Sequence, residues 1–294
     1  MKTKILLLGN TGQLGWELNR SLLALGEVTA LDYPQINLAD PVNIRAVVHA
    51  VQPNIIINAT AYTNVNKAES EPDLAMAINA TGVGILAEEA HKLDAGLIHY
   101  STDYIFDGKK GTPYIEGDQP SPLSVYGRTK LAGEKAVETI SETYFVFRTS
   151  WVYSLRRPSF VTKVLQWARQ HKTLRIVDDQ ISTPTWARTL AEATAQIIAQ
   201  GGQDPVAYIQ EKRGLYHLTD GGACSRYEWA KAILELDPKK HEQVVGLVLP
   251  AKSTDFKEPA ERPLASILNS AHFRTVFGLN LPAWFSALSL AMTN

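Results

Sequence analysis

Apolar and polar positions alternate along this chain in two rhythms, short unbroken apolar runs and longer amphipathic stretches. Lys4 to Leu8, Val28 to Leu31, Asn54 to Asn58, Gly96 to Tyr100 and Tyr144 to Arg148 are the runs. Their length and continuity predict strands buried on both faces. Between them the pattern predicts helices: one through Leu25, one opened by Pro41 with Asp40 as its cap, a mostly helical stretch from Glu71 to Leu93, and one from Tyr126 to Ile140. Strands alternating with helices predict an α/β fold. Residues 1–150 should form a Rossmann-type, doubly wound parallel sheet that binds ligands at the carboxyl ends of its strands.

Beyond Trp151 the pattern loosens. Helices are expected from Ser159 to Gln170, from Thr185 to Ile198, from a Ser225 cap to Leu236, and after Pro282, with strand-like pieces at Leu174 to Val177 and Tyr216 to Leu218. Residues 151–294 predict a smaller, mainly substrate-binding domain interleaved with the first. Asp107 to Leu123, rich in Gly, Pro and Asp, reads as an irregular loop over the ligand edge.

Composition narrows the function classes. The 294 residues are 45% apolar and 20% charged, with a formal net charge of −1, which suits an ordinary globular protein with a substantial core. Lysines and arginines are scattered, which argues against nucleic acid, and no apolar run is long enough to span a membrane. The start, Met1-Lys2-Thr3-Lys4, leads straight into a strand without a signal-peptide pattern. The single cysteine, Cys224, excludes an intramolecular disulfide, so a cytoplasmic protein is expected. The seven histidines show no H-E-x-x-H or Cys/His spacing, which argues against a metal hydrolase.

Two motifs carry chemistry. Gly9-Asn10-Thr11-Gly12-Gln13-Leu14-Gly15 lies between the first strand and its helix, where glycines let a backbone approach a pyrophosphate resting on the helix amides. Asp32 ends the second strand, twenty residues past Gly12. It can accept hydrogen bonds from adenosine ribose hydroxyls and would repel a 2′-phosphate, which leans toward NADH. Gly12, Asp32, Ala61 and Thr102 each follow a predicted strand and should share one edge.

The second motif is Tyr126-Gly-Arg-Thr-Lys130 with Ser101-Thr102-Asp103-Tyr104 upstream. A tyrosine and a lysine four apart lie on one helix face. An ammonium there would ease proton release from the phenol, as protonation of a developing alkoxide requires. Tyr208/Lys212 and Tyr227/Lys231 have the same spacing but neither a preceding strand with hydroxyl residues nor a cofactor motif, and read as surface residues.

In these residues the chain resembles the dTDP-4-dehydrorhamnose reductases of the extended short-chain dehydrogenase/reductase superfamily. The likeness runs nearly end to end: GNTGQLGWEL at 9–18, NATAYTNVNKAE at 58–69, HYSTDYIFDG at 99–108, SVYGRTKLAGE at 124–134, FRTSWVY at 147–153, DDQISTPT at 178–185, GLYHL at 214–218 and ERPLAS at 261–266. The resemblance implies NADPH- or NADH-dependent reduction of the 4-keto group of dTDP-4-dehydro-β-L-rhamnose, the last step of dTDP-rhamnose synthesis for surface polysaccharide.

It implies Tyr126 as proton donor, Lys130 lowering its pKa and holding the nicotinamide ribose, and Thr102 on the substrate carbonyl. Asp103, Trp151 and Arg262 become substrate contacts. Gly9, Gly12, Gln13, Leu14, Asp32, Asn37, Leu38, Ala61, Tyr62, Thr63, Tyr100 and Lys130 become cofactor contacts. Some members join subunits through Mg²⁺ held by glutamates. Glu17 matches one such position, but Arg188 stands where another glutamate is expected and cannot ligate Mg²⁺. No metal is therefore expected, and the chain is a monomer or homodimer. Leu264-Ala265 also replaces a usual polar pair. Two alternatives stay open: another nucleotide-sugar reductase or epimerase, and a non-catalytic regulatory subunit akin to the β subunit of methionine adenosyltransferase.

Overall fold

The structure is a computed structural model that describes residues 2–293; Met1 and Asn294, the ends of the two expected domains, lie outside the described residues. In chain order the elements of the first half are β1 (Lys4–Leu8), α1 (Gln13–Ser21), β2 (Glu27–Leu31), α2 (Pro41–Val51), β3 (Ile55–Asn58), α3 (Val65–Ala68), α4 (Pro72–Met76), α5 (Gly82–Lys92), β4 (Gly96–Thr102), α6 (Val125–Ile140) and β5 (Tyr144–Thr149). The second half adds β6 (Val152–Tyr153), α7 (Phe160–Gln170), β7 (Thr173–Val177), β8 (Ile181–Ser182), β9 (Thr185–Trp186), α8 (Ala187–Gln200) and α9 (Pro205–Glu211). It continues with β10 (Gly214–His217), β11 (Cys224–Ser225), α10 (Arg226–Glu235), β12 (Leu247–Ala251), α11 (Ala271–Phe277) and α12 (Trp284–Thr293).

Among the described residues the main sheet has six parallel strands in the order β10-β5-β4-β3-β1-β2. The period-two pleat splits β1 between two cores. Ile5 and Leu7 pack with Leu18 of α1, Leu190 and Ile197 of α8 and Phe273 of α11. Leu6 and Leu8 pack with Val48 of α2, Leu86 of α5 and Val137 of α6. Helices therefore cover both faces, and each such fully buried side chain contributes about 1.5–3 kcal/mol. A third core, around Trp229, Tyr153, Val164 and Leu288, joins α7, α10 and α12 to the short β7–β12 pair.

Several boundaries differ from the sequence pattern for local reasons. α1 ends at Ser21, and Leu22 to Leu25 turn under it instead of prolonging it. β4 continues through Ser101 and Thr102 because they pair with Arg148 and Thr149. Thr185–Trp186 is a strand on β6, so α8 begins two residues late. The helical stretch between α4 and α5 contains a π-helical turn, Ala77–Thr81, which a continuous amphipathic pattern does not reveal. Asp40 caps α2 as its spacing predicts, accepting from the Val42 and Asn43 amides.

Candidate active site

The carboxyl ends of β1, β3, β4 and β5 open onto a cavity of about 360 Å³. Gln13 and Leu14 come from the start of α1, Ala61 and Thr63 from the loop after β3, Thr102 and Asp103 from the end of β4, and Tyr126 and Lys130 from α6. α6 is aimed by its first turn. Ser124 caps it through the Gly127 amide at 3.1 Å, and the Val125 amide donates to the Glu69 carboxylate at 2.8 Å. Tyr126 and Lys130 thus share the face toward β4, and the Tyr126 ring meets Tyr104 edge-on at 5.8 Å.

Burial pushes the half-buried Tyr126 phenol above its usual value, while the Thr102 hydroxyl on it works the other way. Lys130 is buried, and burial lowers it to about 8 against the pull of Glu134. Its Nζ donates to the Tyr100 carbonyl at 2.6 Å and lies 3.1 Å from Nε2 of His99. Here the expectation from spacing needs correcting: the shared face is real, but in this arrangement Nζ is drawn to β4, and the net effect on Tyr126 is upward because its burial is the dominant cause.

Asp103 is buried at the cavity wall. Its Oδ2 accepts from Ser266 Oγ at 2.5 Å and Ser182 Oγ at 3.2 Å, and burial raises its pKa to about 6 despite these donors. Trp151, between β5 and β6, has φ +44°, a left-handed conformation that costs a bulky residue on the order of 1–3 kcal/mol. That turn sets its ring between the first cavity and a second of about 480 Å³. The second is lined by aromatic rings (Phe160, Trp167, Trp229, Phe256) and by cations that include Arg226 and Arg262. The Trp151 ring stacks on Trp229 at 5.5 Å and carries the Arg226 guanidinium at 3.7 Å. Arg262 donates to Asn66 at 3.1 Å and pairs with Glu258.

The remaining sequence candidates separate. Asp32 sits at the loop end of β2, but Oδ2 accepts from the Thr11 amide and hydroxyl at 3.1 and 2.5 Å, and Arg157 Nε donates to the Thr11 carbonyl at 2.6 Å. The carboxylate is thus engaged with the glycine-rich loop itself. Leu38 is buried in the core beside β1, Asn37 Oδ1 caps the Ala39 amide, and the Tyr62 hydroxyl donates to Glu71 at 2.6 Å; none of the three lines the cavity. Glu17 faces Arg156, Arg188 and Arg20, and Arg188 pairs with Glu192 at 2.7 Å. Sequence reading missed Asn58, His99, Arg226 and Lys163. Arg226 opens α10, whose Ser225 cap was legible, but no apolar run marks β11, which sets its direction.

Comparison with known proteins fits this geometry. A model of the RmlD substrate binding domain matches residues 3–294. The chain is 40% identical over 288 residues to a dTDP-4-dehydrorhamnose reductase of Shigella flexneri, covering 95% of this chain and 94% of the relative. The chain belongs to the dTDP-4-dehydrorhamnose reductase family.

Crystal structures of two proteins of that name, from Clostridium acetobutylicum and, in complex with NADP, from Bacillus anthracis, each superpose with a TM-score of 0.90. They share 32% and 31% identity, covering 99% and 100% of this chain and 99% of each of theirs. The family is one of NAD(P)H-dependent oxidoreductases, and the first cavity of this member suits such a cofactor. Gln13 Oε1, Ser101 Oγ and Thr149 Oγ1 line it, buried and without a hydrogen-bond partner. A Cβ on Gly15 would lie 2.0 Å from the Gly9 carbonyl oxygen, so the dinucleotide loop closes only over glycine. Among the described residues no three His, Cys, Asp or Glu side chains group as metal ligands, and no helix is long and apolar enough to cross a membrane.

Proposed function

We propose that this chain reduces the 4-keto group of dTDP-4-dehydro-β-L-rhamnose to give dTDP-β-L-rhamnose, the last step in making that nucleotide sugar, with Tyr126 as general acid. One observation carries the reading: Thr102, Tyr126 and Lys130 meet in a cavity that shares Trp151 with an aromatic, cation-lined second cavity. Aromatic rings suit a nucleobase, and Arg226, Arg262 and Lys163 suit a diphosphate. NAD(P)H, when bound in the first cavity, would supply the hydride for the sugar's C4.

The chain's own residues do the rest. Thr102 and Tyr126 donate hydrogen bonds to the C4 oxygen as it gains charge, and the Tyr126 proton ends on that oxygen. Tyr126 is a phenol at neutral pH, as an ordinary tyrosine is, which is the form a reductase's acid must hold before each turnover, and burial raises its pKa further. Trp151 separates the nucleotide end from the reacting end, and residues 151–294 act mainly as the substrate-binding domain.

The test is oxidation of NADPH or NADH at 340 nm with enzymatically generated dTDP-4-dehydrorhamnose. Oxidation that EDTA leaves unchanged is expected, since arginines surround Glu17. No oxidation with either cofactor would contradict the reading. Tightly bound NAD⁺ in the purified protein, with substrate isomerised and no net oxidation, would point to an epimerase instead.

A further inference from the structure

His99 lies on β4 beneath α6, fully buried, and the active-site chemistry above does not use it. Its surroundings fix where its proton sits. Asn58 Oδ1 accepts from the Thr60 amide at 3.0 Å and the Thr60 hydroxyl at 2.6 Å. The Asn58 amide nitrogen therefore turns toward Nδ1 of His99, 3.2 Å away, and donates to it. Burial holds the imidazole neutral. A neutral ring that accepts at Nδ1 carries its hydrogen on Nε2, and Nε2 faces Nζ of Lys130 at 3.1 Å. An ammonium has three donors and no acceptor, so it would meet that N–H hydrogen to hydrogen. A free amine accepts it and still donates to the Tyr100 carbonyl at 2.6 Å.

We propose that His99, its tautomer set by Asn58, is a positioning residue that parks Lys130 as a neutral amine on β4. Cofactor entry then draws Lys130 to the nicotinamide ribose as an ammonium, with uptake of one proton wherever the free protein holds the amine. The neighbouring groups agree. On α6 the charged or titratable neighbours are Glu134 and Tyr126. Glu134 is already committed to Arg148 of β5, which holds it with Nε at 3.0 Å and Nη2 at 2.6 Å. At the end of β4, Asp103 is tied to Ser182 and Ser266. The neighbouring strand β3 and the π-helical turn hold no ionisable residue. Burial places the parked lysine's pKa at about 8. Above that pH Lys130 is uncharged in the free protein and charged in the complex, so binding weakens as pH rises through it.

The inference rests on the first cavity being the NAD(P)H site, and its test is a binding measurement that needs no sugar substrate. The dissociation constant for NADH, which has no group titrating in the range, is measured at pH 7 and pH 9 by tryptophan fluorescence. Proton uptake is measured by calorimetry in buffers of different ionisation enthalpy. The wild type should bind about tenfold more weakly at pH 9 than at pH 7 and take up close to one proton per NADH at pH 9. Asn58→Asp accepts from Nδ1–H, reverses the tautomer and presents a lone pair to the Lys130 ammonium, so both effects should shrink to near zero. His99→Gln, which can offer its amide oxygen, should do the same and carries the test if the first variant does not fold. Affinity in the wild type independent of pH, or variants that keep the wild-type proton uptake, would overturn the assignment while leaving the reductase reading intact. No NADH binding at all would overturn both.

Discussion

The Tyr126 phenol is governed by burial and by the Thr102 hydroxyl on it more than by Lys130. The phenol is protonated, faces Thr102, and receives no hydrogen bond from Lys130 in this arrangement. Removing only the hydroxyl leaves the ring against Tyr104 and the cofactor cavity unchanged. Tyr126→Phe should therefore lower kcat at least ~10²-fold and leave the NADPH dissociation constant nearly unchanged, read by steady-state kinetics and fluorescence titration. Tyr126, Lys130 and Thr102 were legible because spacing on a helix and position after a strand are local properties. The direction of the Lys130 side chain was not, because it depends on the Asn58 amide 72 positions earlier, and no pattern links the two.

Among the elements, α6 matters most, and what fixes it is the π-helical turn at Ala77–Thr81. That turn brings Asn79 inward, where its side chain donates to Thr129 at 3.1 Å and accepts from the Tyr62 amide at 2.8 Å. α6 can approach because residue 133 lacks a side chain: a Cβ there would lie 2.1 Å from the Asn79 carbonyl oxygen. Gly133→Ala must push α6 outward. An unfolding free energy lower by about 1–3 kcal/mol is expected in urea titration. At least a tenfold fall in kcat should accompany it, because small misplacements of reacting groups are costly. The first five strands and the longer helices among them could be read from the sequence because each is a long or unbroken apolar pattern, whereas the four-residue α3 could not. β6, β8, β9 and β11 could not, being two-residue strands whose existence depends on distant partners.

Across the whole molecule, the two halves are joined at the reacting edge. β10 extends the main sheet beside β5, and the loop bearing Arg262 is laced to β8 by the Ile181 amide on Leu264 and the Ser266 amide on Ile181. Asp103 at the end of β4 closes this joint through Ser182 and Ser266. Its folded pKa, about 6, lies above the ordinary 3.8, so the folded state favours the protonated form. The group costs nothing below about pH 4, and its penalty grows as pH rises to about 6 and then stays constant. Asp103→Asn removes that penalty. The stability of the wild type relative to the variant should fall by on the order of 2–3 kcal/mol between pH 4 and pH 7, measured by urea unfolding across that range.

The assignment of the whole site to ketone reduction at C4 is tested most directly by following the hydrogen itself. NADPH deuterated at the transferred position is incubated with enzyme and dTDP-4-dehydro-β-L-rhamnose, and the product is read by NMR. One deuterium at C4 of dTDP-β-L-rhamnose for each NADPH oxidised is the predicted result. Deuterium at another carbon, or an altered sugar with no NADPH consumed, would contradict the account.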